Sequence, residues 1–155
     1  MPPRRFAYIL LANEKWWKRL VSQNRAGKNI QAFVRKGLVG PKNTELILFY
    51  VTHPHKEIRG FATFIDRVTG DARDLWNSYG HEASLKSYNE YLNFLHGRQG
   101  TTFIRLRDLH ELSAPISAST ISEVTGMNRM PRSGTYLSKE MAHELLGRSI
   151  EIAGV

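Results

Sequence analysis

At 155 residues, 41% of them hydrophobic, the chain has the length of one domain and can bury a core unaided. It contains no cysteine, which excludes a disulfide framework, a thiolate zinc site and a cysteine nucleophile. Its formal charge of +8 is unevenly placed: residues 1–60 hold 12 Lys or Arg against 3 Asp or Glu, and residues 61–155 hold 10 against 11.

Arg4 and Arg5 precede an apolar run at residues 6–12. The run is too short to span a membrane and no small-residue cleavage pattern follows it, so a cytoplasmic protein with no membrane partner is expected. The run itself reads as a buried strand. Asn13 is placed to cap a helix in which Trp16, Trp17, Leu20 and Val21 share a face, with Lys15, Lys18 and Arg19 toward the other side. Adjacent tryptophans differ by about 100° around a helix, so one is free to be buried while the other lines a groove. A loop pivots on Gly27. Residues 30–36 alternate as a strand, and 46–52 form a near-continuous apolar strand.

The segment His53-Pro54-His55-Lys56 connects that strand to another at 58–68, making the clearest hairpin in the chain. Gly60 inside it marks a bulge or a close backbone approach. Asp71 reads as a helix N-cap with Asp74 at N3, and that helix ends by Gly80. Ser84 is placed to cap a helix presenting Leu85, Tyr88, Tyr91, Leu92 and Leu95. A strand is expected at 102–106, an extended piece at 115–119, and a short helix under a Thr120–Glu123 capping box. Residues 127–135 read as a loop rich in Arg, Pro and Gly, before a last helix at 138–146 stopped by Gly147. Strands dominate the first half, which argues for an α+β domain with a mixed or barrel-like sheet.

Phosphate-loop, Rossmann and nucleophile-elbow motifs are absent. His53 and His55 have the spacing of two metal ligands on one strand face, but a solvated hairpin turn explains them more simply. Asp66, Asp71 and Asp74 have the chemistry of a divalent-cation site, yet helix capping already accounts for Asp71 and Asp74. No metal or cofactor is expected. The basic-aromatic stretch is the stronger signal. Lys15, Lys18, Arg19, Arg25, Lys28, Arg35, Lys36 and Lys42 fall on three consecutive elements with no matching acids nearby. Cations beside flat aromatic rings suit a polyanion with bases to stack. Arg129, Arg132 and Tyr136 bracket a loop whose backbone amides and hydroxyls are of the kind that contact a phosphate or base edge.

The order of features resembles the PUA-like superfamily, especially its stand-alone ASCH and EVE domains and their archaeal relatives. The motifs are Asn13-Glu14-Lys15-Trp16 after a strand, Gly27-Lys28, the Phe49-Tyr50 strand, Gly60 in the next strand, Leu75-Trp76 with Tyr79-Gly80, and residues 131–138. The resemblance covers residues 6–146 and implies a small mixed β-barrel with flanking helices. It also implies nucleic-acid binding, RNA before DNA, at the barrel mouth. The family's cleft corresponds here to residues 13–17, 25–29 and the loop before Tyr136. With the basic face, Lys15, Trp16, Trp17, Lys18, Arg19, Arg25, Lys28, Asn29, Arg35, Lys36, Arg132 and Tyr136 would grip phosphates and a base, and Trp16 with one of Phe49 and Tyr50, whose side chains alternate faces, would supply aromatic walls. ASCH domains often carry a Glu closely following the Gly-Lys pair. Here Gln31 stands nearest, and it cannot act as a carboxylate base, which favours gripping over cutting. The alternatives are an ASCH-type ribonuclease or nucleoside hydrolase, with His53, His55 or Glu14 as base, and a regulatory domain docking an acidic protein partner.

Overall fold

A computed structural model describes residues 5–153. Arg4, part of the basic start of the sequence, lies outside the described residues. The first strand, β1 (Ala7–Ala12), leads into α1 (Glu14–Arg25). Asn13 caps that helix as its position demands, its side-chain oxygen accepting from the Trp16 amide at 2.9 Å. There follow β2 (Ile30–Arg35), β3 (Leu46–Val51) and a long β4 (Glu57–Asp71). Asp71 ends β4 and caps α2 (Ala72–Tyr79), accepting from the Asp74 amide. After a single 3-10 turn at Gly80–Glu82 come α3 (Tyr88–Leu95), β5 (Gly100–Ser117), α4 (Ala118–Thr125), β6 (Thr135–Leu137) and α5 (Lys139–Ala153).

The strands form one mixed sheet in the order β2-β5-β4-β3-β1-β6, with β1 and β3 parallel and the other pairs antiparallel. The α+β class expected from the sequence holds, and the sheet is barrel-like without being closed by a backbone ladder. Its two edges are instead bridged by a side chain: the Arg35 guanidinium, at the end of β2, donates to the Ser133 carbonyl just before β6 at 3.0 Å. Three register shifts between β4 and β5 bend the long pair, and a fourth falls between Phe49 and Tyr50 on the β3–β4 side.

Successive side chains on a strand point to opposite faces. Phe49 enters a core with Trp17, Leu20, Phe33 and Leu106 under α1, whereas Tyr50 enters a second core with Ile58, Ile116, Ile121 and Leu145 under α4 and α5. A third cluster holds Leu75, Tyr91, Leu95 and Phe103 beneath α2 and α3. Gly60 borders a bulge at Arg59 and is a close approach, since Trp17 occupies the space its side chain would need.

Several expectations are corrected. The cap of α3 is Ser87, whose hydroxyl accepts from the Glu90 amide, and not Ser84, which is buried in the preceding connection. The cap of α4 is Ser117 and not Thr120, so no Thr120–Glu123 box forms. Residues 102–106 and 115–117 belong to one strand, β5, because the bulged β4 supplies a partner along its length. The loop at 127–135 ends in a strand, since Tyr136 pairs with Tyr8 on the free edge of β1. Gly147 does not stop α5, which continues to Ala153.

Candidate nucleic-acid interface

The two adjacent tryptophans of α1 separate as helix geometry requires. Trp17 is buried, its ring centroid 5.5 Å from that of Phe49. Trp16 is half-buried and meets Phe94 of α3 edge-on at 5.5 Å. Three cations collect on this second pair: Lys15 and Arg19 lie over the Trp16 ring at 4.9 and 5.0 Å, and Lys36 lies over Phe94 at 5.1 Å.

Two of the first half's arginines are nonetheless met by acids from the second. Arg19 donates to both carboxylate oxygens of Glu90, at 2.7 and 2.8 Å, and to the Ser84 carbonyl. This guanidinium, with the Lys86 amide, draws the Glu90 carboxyl down to about 2. Arg25 pairs in the same two-pronged way with Glu111. The expectation that acidic counterparts are missing is therefore corrected: Glu90 and Glu111 lie 71 and 86 residues away in sequence.

Other expected contacts serve the scaffold. Lys28 is half-buried, reaches the Ala83 carbonyl at 3.4 Å, and has its pKa lowered by desolvation. Gln31 is fully buried and donates to the Leu20 carbonyl, so it faces no ligand. The carboxylate missing after Lys28 arrives from elsewhere, because buried Glu82 acts electrostatically on Lys28 while held by Arg105. Asn29 is exposed, and its carbonyl accepts from the Asp108 amide. Arg35 is spent on the Val39 and Ser133 carbonyls. The Tyr136 hydroxyl accepts from the Lys42 amide at 2.9 Å, and Arg132 is exposed nearby in sequence.

Two cavities have cationic linings, and neither joins α1 to residues 132–136. The first, about 480 Å³, runs between Trp17, Lys18 and Arg25 of α1, Arg59 of β4, and Glu111 and Ser113 of β5. Each of its cations faces a carboxylate: Lys18 meets Glu14 at 3.0 Å, Arg25 meets Glu111 at 2.7 Å, and Arg59 meets Glu57 at 3.2 Å. It is the larger cavity but close to neutral, which makes it a poor seat for a polyanion.

The second cavity, about 430 Å³, opens where Tyr50 and Thr52 leave β3, beside His53 and Lys56 of the β3–β4 turn. Leu11, Ile121, Met127 and Met130 form an apolar floor, and Asn128 and Arg129 complete the rim. Among the described residues no carboxylate lines it. Burial raises the pKa of the Tyr50 phenol, which keeps the hydroxyl protonated and able to donate. From the sequence, Tyr50 is expected as a wall, and His53 as a turn residue or, in the hydrolase alternative, as a base. The opposing wall comes from α4 and the loop after it, some 70 residues on in the chain, which no local pattern announces.

Comparison with known proteins bears directly on this architecture. An ASCH domain-containing ribonuclease from Zymomonas mobilis is 31% identical over 152 residues, covering 98% of this chain and 97% of that protein. The chain belongs to the ASCH domain family. The crystal structure of ASCH from the same organism has a TM-score of 0.74 at 28% identity, covering 91% of this chain and 94% of that one. A mutant of that ASCH protein with Ser replaced by Ala matches at a TM-score of 0.76 and 29% identity, over 94% and 98% of the two chains. No family model matches the sequence. The PUA-like fold read from the sequence is thus the fold of this ASCH domain. Among the described residues, no cluster of His, Asp and Glu is arranged to hold a metal ion, and no helix is long and apolar enough to cross a membrane.

Proposed function

We propose that this ASCH domain binds RNA in the Tyr50 cavity, in the cytoplasm and in preference to DNA. The observation that carries the reading is the make-up of the cavity. It has a cationic rim of Lys56 and Arg129, a protonated phenol, an apolar floor, and no lining carboxylate among the described residues. A phosphate suits the rim, and a base unstacked from its neighbours suits the floor. The volume is that of a small-ligand pocket, enough for about one nucleotide. A 2′-hydroxyl gives Asn128 and Tyr50 a group to recognise that DNA lacks. Fluorescence anisotropy with labelled RNA and with DNA of the same sequence tests this. RNA binding that weakens with salt and is lost in a Lys56→Glu, Arg129→Glu double variant supports it. Binding that survives the double variant overturns it.

A second reading is favoured by one observation, that the full-length relative is a ribonuclease. His53, Lys56 and Tyr50 are residue types that carry out proton transfer and stabilise charge. In this reading the 2′-oxygen of the bound nucleotide attacks the adjacent phosphorus and loses its proton to His53. The bond to the 5′-oxygen breaks, and that oxygen takes a proton from the Lys56 ammonium. The products are a 2′,3′-cyclic phosphate and a 5′-hydroxyl. An end-labelled RNA that is cut, alongside a 2′-deoxy version that is not, is the expected result. Equal cutting of both excludes the step.

A further inference from the structure

We infer that RNA bound by this domain leaves the Tyr50 cavity around the β3–β4 turn to stack on a second site, the Trp16–Phe94 platform, a path open to a single strand. The inference rests on the RNA reading above and extends it to a surface on the other side of α1.

Three observations place the second site. Trp16 and Phe94 are each half-buried, so their rings are anchored while part of each remains open. Lys15 and Lys36, both exposed, lie over these rings, and neither forms an ion pair with a carboxylate among the described residues. A base that displaces a lysine from a ring face leaves that ammonium free to meet the adjacent phosphate, so the stacking and charge terms reinforce each other. Arg19 is already neutralised by Glu90 and holds Trp16 in place.

One contact links the surroundings of the two sites. Glu14, next to Lys15, touches His55 at 3.3 Å, which ties the start of α1 to the turn that carries His53 and Lys56. A strand leaving the cavity over that turn passes the Glu14–Lys18 pair at the start of α1, where Lys15 also lies. An A-form duplex is excluded by the same geometry. Its bases are stacked and paired, its deep groove is closed to side chains, and it cannot fold around a hairpin from one face of a sheet to the other.

The test compares a trinucleotide, a single-stranded RNA of about ten nucleotides, and the corresponding duplex, matching the short site sizes of stacking grooves. Wild-type protein should bind the longer strand at least tenfold more tightly than the trinucleotide, and the duplex more weakly than the longer strand. The longer strand should quench tryptophan fluorescence, and Trp16→Phe should remove that quenching while retaining a packed ring. A Lys15→Glu, Lys36→Glu variant, altered only at exposed positions, should bind the longer strand no more tightly than the trinucleotide. Equal affinity for both lengths, or duplex binding as tight as single strand, overturns the inference and leaves the cavity reading standing. Failure of both lengths to bind removes the RNA reading itself, and the inference with it.

Discussion

The indole of Trp17 fills the space above Gly60. A side-chain carbon built on residue 60 would collide with the outer edge of that ring and stand 2.6 Å from the His110 carbonyl oxygen. Helix α1 is thereby seated against the β4 bulge, and neither neighbour is a flexible side-chain end that moves aside freely. Gly60→Ala is expected to destabilise the fold by about 1–3 kcal/mol, the range for overpacking a filled site. A urea titration that finds wild-type stability in the variant contradicts this seating.

The Arg19–Glu90 pair predicts a pH effect of definite sign. The folded carboxyl titrates at about 2, below its ordinary 4.5. The folded state therefore binds fewer protons here than the unfolded state, and the pair contributes stability above the ordinary value that is lost as pH falls from 4.5 toward 2. Glu90→Gln should cost on the order of 1 kcal/mol at neutral pH, since the pair is partly exposed, and the cost should shrink toward pH 2. A deficit that stays constant between pH 7 and pH 2 contradicts the assignment.

Arg35 holds the two sheet edges together through the Ser133 carbonyl, its guanidinium steadied by the Val39 carbonyl. Arg35→Ala is expected to cost about 1 kcal/mol and to speed amide hydrogen exchange at Tyr136 and Leu137 more than at β3. Uniform acceleration across the sheet would point to general destabilisation and away from a local clasp.

Within the Tyr50 cavity the effects of single changes should separate. Lys56→Ala and Arg129→Ala should each reduce the slope of log affinity against log salt by about 0.7, the value for one lost phosphate contact on a single strand. Tyr50→Phe should weaken RNA binding about tenfold with little change in salt slope, because it removes a hydrogen bond and no charge. A Tyr50→Phe protein that binds as wild type does would remove the phenol from the interface.

The sequence is most readable where an element is specified by its own neighbours. Asn13 and Asp71 announce their helices because a cap acts across three residues. The β3–β4 hairpin is visible because its strands are joined directly. Gly60 is legible as an anomaly, though its partner Trp17 is not. Charge is legible as a total and misleading as a surface, because Arg19 and Arg25 find Glu90 and Glu111 only after the chain has folded back. The cavity wall opposite Tyr50 is hidden for the same reason: Ile121 and Arg129 reach it through sheet topology, not spacing. Strand β6 is three residues long and exists because β1 has a free edge, a property of the sheet and not of residues 135–137.

The position of β2 at one rim of the sheet has a consequence for synthesis. Its ladder partner is β5, whose pairing residues begin at Thr102, opposite Arg35. A nascent chain that has emerged only as far as α3 carries residues 30–35 with no strand of this sheet to receive them. It also holds Arg19 and Glu90 but still lacks Glu111, the mate of Arg25. Pairing over such long separations is slow, because loop closure must precede any reward. The domain should therefore complete its folding only after β5 has cleared the ribosome, with the β3–β4 hairpin as the part able to form beforehand.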